Sequence, residues 1–434
     1  MKPYQVLIFI AVVMSLLRVL YKAFPNGQLL HKDSEFSIQD SELSLEVLEN
    51  DTIEEFPVFA ETEVEAEIGE AETDTHIPQE PKVIIPKIAV DSTTDSRVFL
   101  QSFYASLSES GHKVVRVLHY GDSQIEEDRM SQQIREALQN KYGGSGVGLL
   151  PLAQTIPSRT VKQQLRMNDR WIQPAQGPKR YLVYGPKRDQ REDGLYGVMG
   201  QVAIMNDSLV KGSEELTAVC TPLDGRKRYT QWRVFADSAI HYSFAGDSVF
   251  LSGQGKVYGL SQQSDTGVIV DNIPMRGCLG LVFTKMDREQ LVTFYREQNV
   301  QLIIMQFGGN AIPSNKNPGT IQGIVKGLRQ QVQYLRTCAP QASILFIGPS
   351  DMLTQIDGEW QTYPMVPYMD KLLRKMALEE NIAYFSLYRW MGGAGSMARW
   401  QEIGLAGSDG VHFTRSGARK AGNAVAEWML EGER

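Results

Sequence analysis

The sequence predicts an α/β fold: a mostly parallel sheet covered by helices on both faces, with an all-β module inserted into it. Two observations point there. From residue 96 onward, apolar strand-like runs alternate with segments of helical periodicity, and the alternation resumes after residue 266. Between about residues 159 and 266 the helical signal is lost, and short β-rich pieces punctuated by Gly, Asp and Ser replace it.

In chain order, Val114–Tyr120 (VVRVLHY) is a compact strand-like run. It leads through Gly121-Asp122-Ser123-Gln124 into Glu127–Tyr142, where Met130, Ile134 and Leu138 recur at helical spacing. Strand, tight Gly turn and helix make the start of an α/β unit. The β-rich stretch holds RYLVY, YGVMGQVAIM, ELTAVC, TQWRVFA, AIHYSFAG, SVFLSG and KVYGL, and reads as a sandwich. The α/β alternation then returns. Gly267–Ile273 is a strand and Leu302–Phe307 (LIIMQF) a buried one, followed by a helix over Gln322–Arg336. Ser343–Gly348 is a strand, Met369–Glu380 a helix, Ile382–Leu387 a last strand and Arg415–Leu430 a closing helix.

The 434 residues carry a net charge of −7, unevenly spread. Residues 31–80 hold 17 Asp/Glu and one Lys, whereas residues 81–434 hold 40 Lys/Arg against 34 Asp/Glu. The acidic segment lacks periodicity and cannot bury enough apolar surface to offset its ordering entropy, so residues 26–95 read as an extended disordered tether. In front of it, Val6 to Leu17 is an apolar run flanked by Lys2, Arg18 and Lys22. A full span needs roughly 20 apolar residues, so residues 1–25 fit a signal peptide, or an uncleaved anchor because no small-x-small cleavage site follows. The catalytic domain is expected over 96–158 and 267–434, and the insert over 159–266. The mild positive excess of the folded part is too weak to argue nucleic acid. Cys220, Cys278 and Cys338 are far apart and form no CxxC or Cys/His pattern, so no metal is expected and at most one disulfide could form.

Four segments carry residue types that do chemistry together. Ser123 sits where a parallel strand ends and a helix is expected to begin, the place where α/β proteins gather ligands and where backbone N–H groups favour an oxyanion. Asp409-Gly-Val-His412 places a carboxylate three residues before an imidazole. Such a pair can orient Nδ1–H and leave Nε2 free to take a serine proton. Gly308-Gly309-Asn310 follows the LIIMQF strand and offers a side-chain amide. Arg276-Gly277-Cys278-Leu279-Gly280 follows the 267–273 strand and offers a backbone donor. Alone, Ser123 also fits an ordinary helix cap and Gly-Gly-Asn an ordinary turn. In this order, each beside a strand end or a helix start, the four are far more specific.

At this point the chain resembles the SGNH (GDSL) hydrolase superfamily over about residues 110–158 and 268–432. The matching blocks are Gly121-Asp122-Ser123, a glycine best matched by Gly280 with Gly277 close by, Gly308-Gly309-Asn310, and Asp409 to His412. The resemblance implies a flavodoxin-like α/β sandwich and a nucleophile at Ser123. It implies oxyanion donors at the Ser123 N–H, Gly280 N–H and Asn310 amide, a base at His412 and its orienter at Asp409, with no cofactor. Two departures are GDSQ in place of the commoner GDSL, and Ala311 where Asp often stands. A narrower resemblance, on His119-Tyr-Gly-Asp-Ser-Gln and Tyr142-Gly-Gly-Ser-Gly-Val-Gly148, is to envelope enzymes that remove O-acetyl groups from peptidoglycan and carry a β module between the first two blocks. It implies an acetylated envelope polysaccharide as substrate and a location in the periplasm or cell envelope, tethered by the N-terminal segment. An O-acetyltransferase with the same triad, or a tethered glycan-binding protein without activity, stays open at this level.

Other features have plainer readings. Gly143–Gly148 follows a helix rather than a strand, so it reads as a rim loop and not a nucleotide fingerprint. Asp122 braces its turn, His112 and His119 are structural, and Cys278 packs. Glu126, Glu127 and Asp128 are expected in the first helical turn, where negative charge suits the dipole. The insert holds Trp171, Tyr181, Tyr184, Tyr196, Tyr229 and Trp232, with Arg226-Lys227-Arg228 among them. Any one of these aromatics is best read as core filling. Together with the basic residues they also suit a glycan, and Trp171 and Trp232 are the substrate-binding candidates.

Overall fold

The computed structural model describes residues 95–152, 158–167, 170–172, 203–205, 215–223, 230–236, 240–253, 255–315, 317–356 and 358–433. The anchor at 1–25 and the tether up to residue 94 lie outside the described residues, as do RYLVY, most of YGVMGQVAIM, and Arg226 to Tyr229. No helix among the described residues is long and apolar enough to cross a membrane.

The α/β part begins with helix α1 (Gln101–Leu107), strand β1 (Val114–Gly121) and helix α2 (Ser131–Tyr142). The β-rich region follows with β2 (Gly148–Leu150), β3 (Val161–Met167), β4 (Arg170–Ile172), β5 (Ala203–Met205) and β6 (Glu215–Pro222). It continues through β7 (Gln231–Ala236), β8 (Ile240–Ala245), β9 (Ser248–Gly253) and β10 (Gly255–Gln263). The α/β pattern resumes with β11 (Gly267–Pro274), α3 (Arg288–Glu297), β12 (Val300–Gln306), α4 (Pro318–Cys338) and β13 (Ser343–Gly348). A hairpin of β14 (Leu353–Ile356) and β15 (Glu359–Thr362) comes next, then α5 (Met365–Glu379) and β16 (Ala383–Ser386). Two short helices, α6 (Leu387–Met391) and α7 (Ser396–Glu402), precede the closing helix α8 (Arg415–Glu431).

Strands β11, β1, β12, β13 and β16 form a five-stranded sheet in that order, and every pair in it is parallel. Its strands are nearly continuous apolar runs because both faces are covered. One face packs Leu118 and Tyr120 of β1 with α3, α4 and α5. The other packs Val115 and Val117 with α1, α2 and α8. The all-β region folds as two antiparallel sheets, ordered β4-β3-β6-β9-β8 and β2-β10-β5 with β7 also on β10. Leu216, Ala218, Val249 and Leu251 from one sheet share a buried core with Leu150, Trp232, Val257 and Leu260 from the other, so the two make a sandwich.

Two details differ from the sequence reading. Antiparallel pairing starts at Gly148, because β2 pairs with β10. The 143–148 segment, read from the sequence as a rim loop, packs closely against the end of β10 and against β11, where a Cβ on Gly148 would strike the Asp271 carboxylate. That carboxylate joins the two architectures. Arg116 of β1 and Asp271 of β11 are both fully buried and paired at 3.0 Å. Asp271 also accepts from the Leu149 N–H at 2.7 Å, and Arg116 donates to Gln263 of β10. Removing one partner of a buried pair strands the other charge in a medium that cannot solvate it. Asp271→Ala is expected to lower unfolding free energy by about 3–5 kcal/mol, measurable by urea denaturation.

Candidate active site

The neighbouring strands β11, β1 and β12 end side by side, and main-chain bonds extend the ladder past their ends. The Met275 N–H donates to Gly121 O at 2.7 Å, and the Asp122 N–H to Gln306 O at 3.2 Å. The loops after β11, β1 and β12 therefore start from one fixed edge. Asp122 caps the next turn by accepting the Gln124 N–H at 3.0 Å. Ser123 opens that turn.

The turn is not the start of the long helix. Ser123–Asp128 is a short 3₁₀ segment kinked at Glu126 and Glu127, and α2 begins only at Ser131. The acidic run explains the break. Glu126 turns inward to a bidentate pair with Arg276, at 2.7 and 2.8 Å. Asp128 is buried against Arg135 at 2.6 and 3.0 Å and accepts from Thr160 at 2.7 Å, while Glu127 meets Arg159 at 2.7 Å. Three side chains pulled to separate cations cannot share a regular first turn, so ion pairing replaces the expected helix-dipole role. Glu127 and Asp128 adopt positive φ of 60° and 63° as a result.

Ser123 Oγ lies 2.8 Å from His412 Nε2, and His412 Nδ1 lies 2.7 Å from Asp409 Oδ2. With Nδ1–H given to the carboxylate, Nε2 is the acceptor and the serine O–H its donor. Asp409 Oδ1 accepts the N–H groups of Val411 and His412 at 2.9 and 3.0 Å. Burial alone would push this carboxyl up, but the His412 ring and the two backbone N–H groups outweigh it and hold it at about 2. The loop is fixed further by Gly407 N–H donating to His412 O at 2.8 Å. The structure thus brings together Ser123, His412 and Asp409 from positions 289 residues apart in the chain.

A residue the sequence reading passed over joins the two halves. The Gln124 side-chain amide donates to Val411 O at 2.8 Å, next to His412, and to Ser350 Oγ at 3.4 Å. The Gln of GDSQ, noted as a departure from the common pattern, was its signal. A leucine there makes no such bond.

Asn310 stands beside the Ser123 turn. Its Nδ2 donates to Asp122 Oδ2 and to Cys278 O, both at 3.2 Å, so its amide spans all three loops. The sequence reading placed a second donor at Gly280, where the structure shows a packed glycine. The Gly280 N–H points to Cys278 Sγ at 3.3 Å, and Gly280 is buried where a Cβ would lie 2.7 Å from the Phe307 ring. Its φ of +82° and that contact explain the glycine as packing. Gly277 is partly exposed, has φ +73°, and its N–H has no hydrogen-bond partner among the described residues. Trp232 is also corrected as a substrate-binding candidate: it is 5% exposed in the sandwich core and its indole N–H donates to Gly246 O at 3.1 Å. Trp171 falls on β4, and its side chain lies outside the described residues. Cys220, Cys278 and Cys338 are free and buried. His119 is fully buried between Gln306 and Ser131, which makes it structural.

A five-stranded parallel sheet with hydroxyl, imidazole and carboxylate gathered at the carboxyl ends of its strands, and an antiparallel sandwich inserted after the first of them, defines an SGNH-hydrolase-like fold. The chain is similar in structure to a peptidoglycan O-acetylesterase, at a TM-score of 0.58 and 19% identity, over 78% of this chain and 96% of that one. Shorter matches are to a carbohydrate acetylesterase from Sinorhizobium meliloti (TM-score 0.28, 16% identity, 38% of this chain and 79% of that one) and to an acetyl xylan esterase (TM-score 0.26, 15% identity, 38% and 80%). These two scores are too low to bear on the fold. No family model matches the sequence, and none of the curated proteins compared with it does.

Burial raises the Asp122 carboxyl to about 6, against the pull of the Gln124 N–H and of His412. Its folded value exceeds its unfolded one, so the folded state holds more protons between about pH 4 and 6, and stability from this group falls as pH rises through that window. Asp122→Asn removes this titrating group. Its stability relative to the parent is expected to rise by on the order of 3 kcal/mol between pH 4 and 7, read from urea midpoints at each pH. A pH-independent difference rejects the assignment.

Proposed function

We propose that the chain is a serine esterase that removes O-acetyl groups from an acetylated envelope polysaccharide, peptidoglycan foremost, through an acyl-enzyme. The observation that carries the reading is the unbroken hydrogen-bond chain from Ser123 through His412 to Asp409. The likeness in fold to a peptidoglycan O-acetylesterase supports the choice of substrate. The apolar N-terminal segment and the acidic stretch behind it suit a protein tethered in the cell envelope.

In this reading Ser123 Oγ attacks the ester carbonyl carbon while its proton passes to His412 Nε2. Asp409, ionised far below neutrality, stabilises the imidazolium that forms. The oxyanion is met by the N–H groups of Ser123 and Gly277 and by Asn310 Nδ2. The two Asn310 bonds are long, so one is readily exchanged for the developing charge. The carbon–oxygen bond to the sugar breaks and His412 returns the proton to the departing sugar oxygen. Water then adds to the acyl-enzyme, gives its proton to His412, and acetate leaves as Ser123 recovers that proton.

The test is acetate release from O-acetylated peptidoglycan and from O-acetylated xylan. Ser123→Ala and His412→Ala are each expected to lower kcat by about 10⁴–10⁶-fold, and Asn310→Ala by about 10²–10³-fold. Full acetate release by Ser123→Ala rejects the mechanism. Faster release from xylan than from peptidoglycan rejects the substrate.

A further inference from the structure

The β14–β15 hairpin belongs to none of the three larger sheets, yet its base is fixed to the loop that carries His412. The Leu353 N–H donates to Gly410 O at 2.9 Å, and a Cβ on Gly410 would lie 3.0 Å from the Leu353 Cβ. Register pairs Leu353 with Thr362 and Gln355 with Trp360. Side chains of a strand alternate between faces, so Leu353, Gln355, Trp360 and Thr362 share one face of the ribbon. The base of that face lies against the 409–412 loop at Leu353, and Thr362 Oγ1 accepts the Gly395 N–H at 2.8 Å. Trp360 stands two register steps farther out, about 7 Å along the ribbon.

The Leu353 N–H turns away from β15, so 353 and 362 are not bonded to each other across the ribbon. By alternation, neither are 355 and 360, and side chains of such a pair sit closest. Trp360 is 56% exposed and Gln355 is exposed beside it. Among the described residues neither side chain makes a hydrogen bond, and the indole has no ring partner. An exposed indole with a free-facing amide alongside, on the ribbon face whose base at Leu353 touches Gly410 of the loop that carries His412, suits a saturated ring edged with hydroxyls. The π face attracts polarised C–H groups, and the amide both donates and accepts.

We infer that Trp360 and Gln355 form a sugar-binding subsite, where a pyranose of the acetylated glycan stacks on the indole while a neighbouring residue presents its ester to Ser123. The inference rests on the proposed esterase reading and adds the residues that hold the polymer. Its alternatives are a contact between two copies of the chain and an exposed tryptophan without a ligand.

The test compares kcat/KM for p-nitrophenyl acetate, which has no sugar, with kcat/KM for O-acetylated peptidoglycan, in the full chain and its variants. Trp360→Ala is expected to lower the ratio of polymer to aryl ester about tenfold, worth about 1.4 kcal/mol, mainly through a higher KM. Trp360→Phe should restore most of the ratio, and Gln355→Ala should lower it by a smaller factor. A ratio within twofold of the parent in Trp360→Ala overturns the subsite. So does a shift from dimer to monomer in that variant with the ratio unmoved, which assigns the indole to self-association. Loss of both activities in the parent itself rejects the esterase reading and the subsite with it. Aryl-ester hydrolysis alone, abolished in Ser123→Ala, keeps the triad and rejects the glycan.

Discussion

The arrangement of this protein depends on the parallel ladder β11–β1–β12 and on its continuation past the strand ends. Parallel strands point the same way, so the loops that follow them emerge at one edge. Here two further main-chain bonds, Met275 to Gly121 and Asp122 to Gln306, keep those loops in register for another residue. That places Ser123, Cys278 and Asn310 within reach of one another before any side chain takes part. The imidazole comes from elsewhere, in the loop before α8, and is held at this edge by side-chain bonds together with the main-chain bond from Leu353 to Gly410.

Several of those bonds are buried or part-buried, so each matters. Asp122 holds the turn with one oxygen and Asn310 with the other. Gln124 reaches across to the main chain at Val411. A buried donor left unmade costs about 1–3 kcal/mol, so a misplaced loop here loses stability as well as geometry. The ion pairs of Glu126, Glu127 and Asp128 act in the same direction. They break the helix that periodicity alone would start at Glu127 and tie the 3₁₀ turn to Arg276, Arg159 and Arg135.

The sheet was legible in the sequence because its strands are buried on both faces and read as short, dense apolar runs; Ser343–Gly348 matches residue for residue, and the closing helix nearly so. Ser123, Asp409, His412 and Asn310 were legible because each belongs to a compact motif at a strand end or before a helix. What the sequence hid was the outcome of competition. Helical spacing of Met130, Ile134 and Leu138 could not reveal that three acids upstream would each find a different arginine. Gly280 and Gly277 are equally permissive as residue types, and only the Phe307 ring and the Cys278 sulfur separate them. Trp232 carried both a core and a binding reading until the Gly246 carbonyl and the sandwich core claimed it. Trp360 gave no sequence signal at all, because its significance lies in a cross-strand partner and in what the other end of the ribbon touches.

β1 carries both ends of this organisation. Arg116 near its start anchors the sandwich through Asp271, and Gly121 at its end leads to Ser123. Five residue steps along the strand separate Arg116 from Gly121, about 17 Å. A single unpaired charge at that distance contributes about 1 kcal/mol at an effective dielectric constant near 20, and a neutral ion pair much less. The buried pair therefore acts on the site through position rather than field. It fixes β1 against β11 and β10, and so fixes the edge from which the loops leave. The electrostatics that the serine experiences are then set locally, by Asp409, Asp122 and the amides around them.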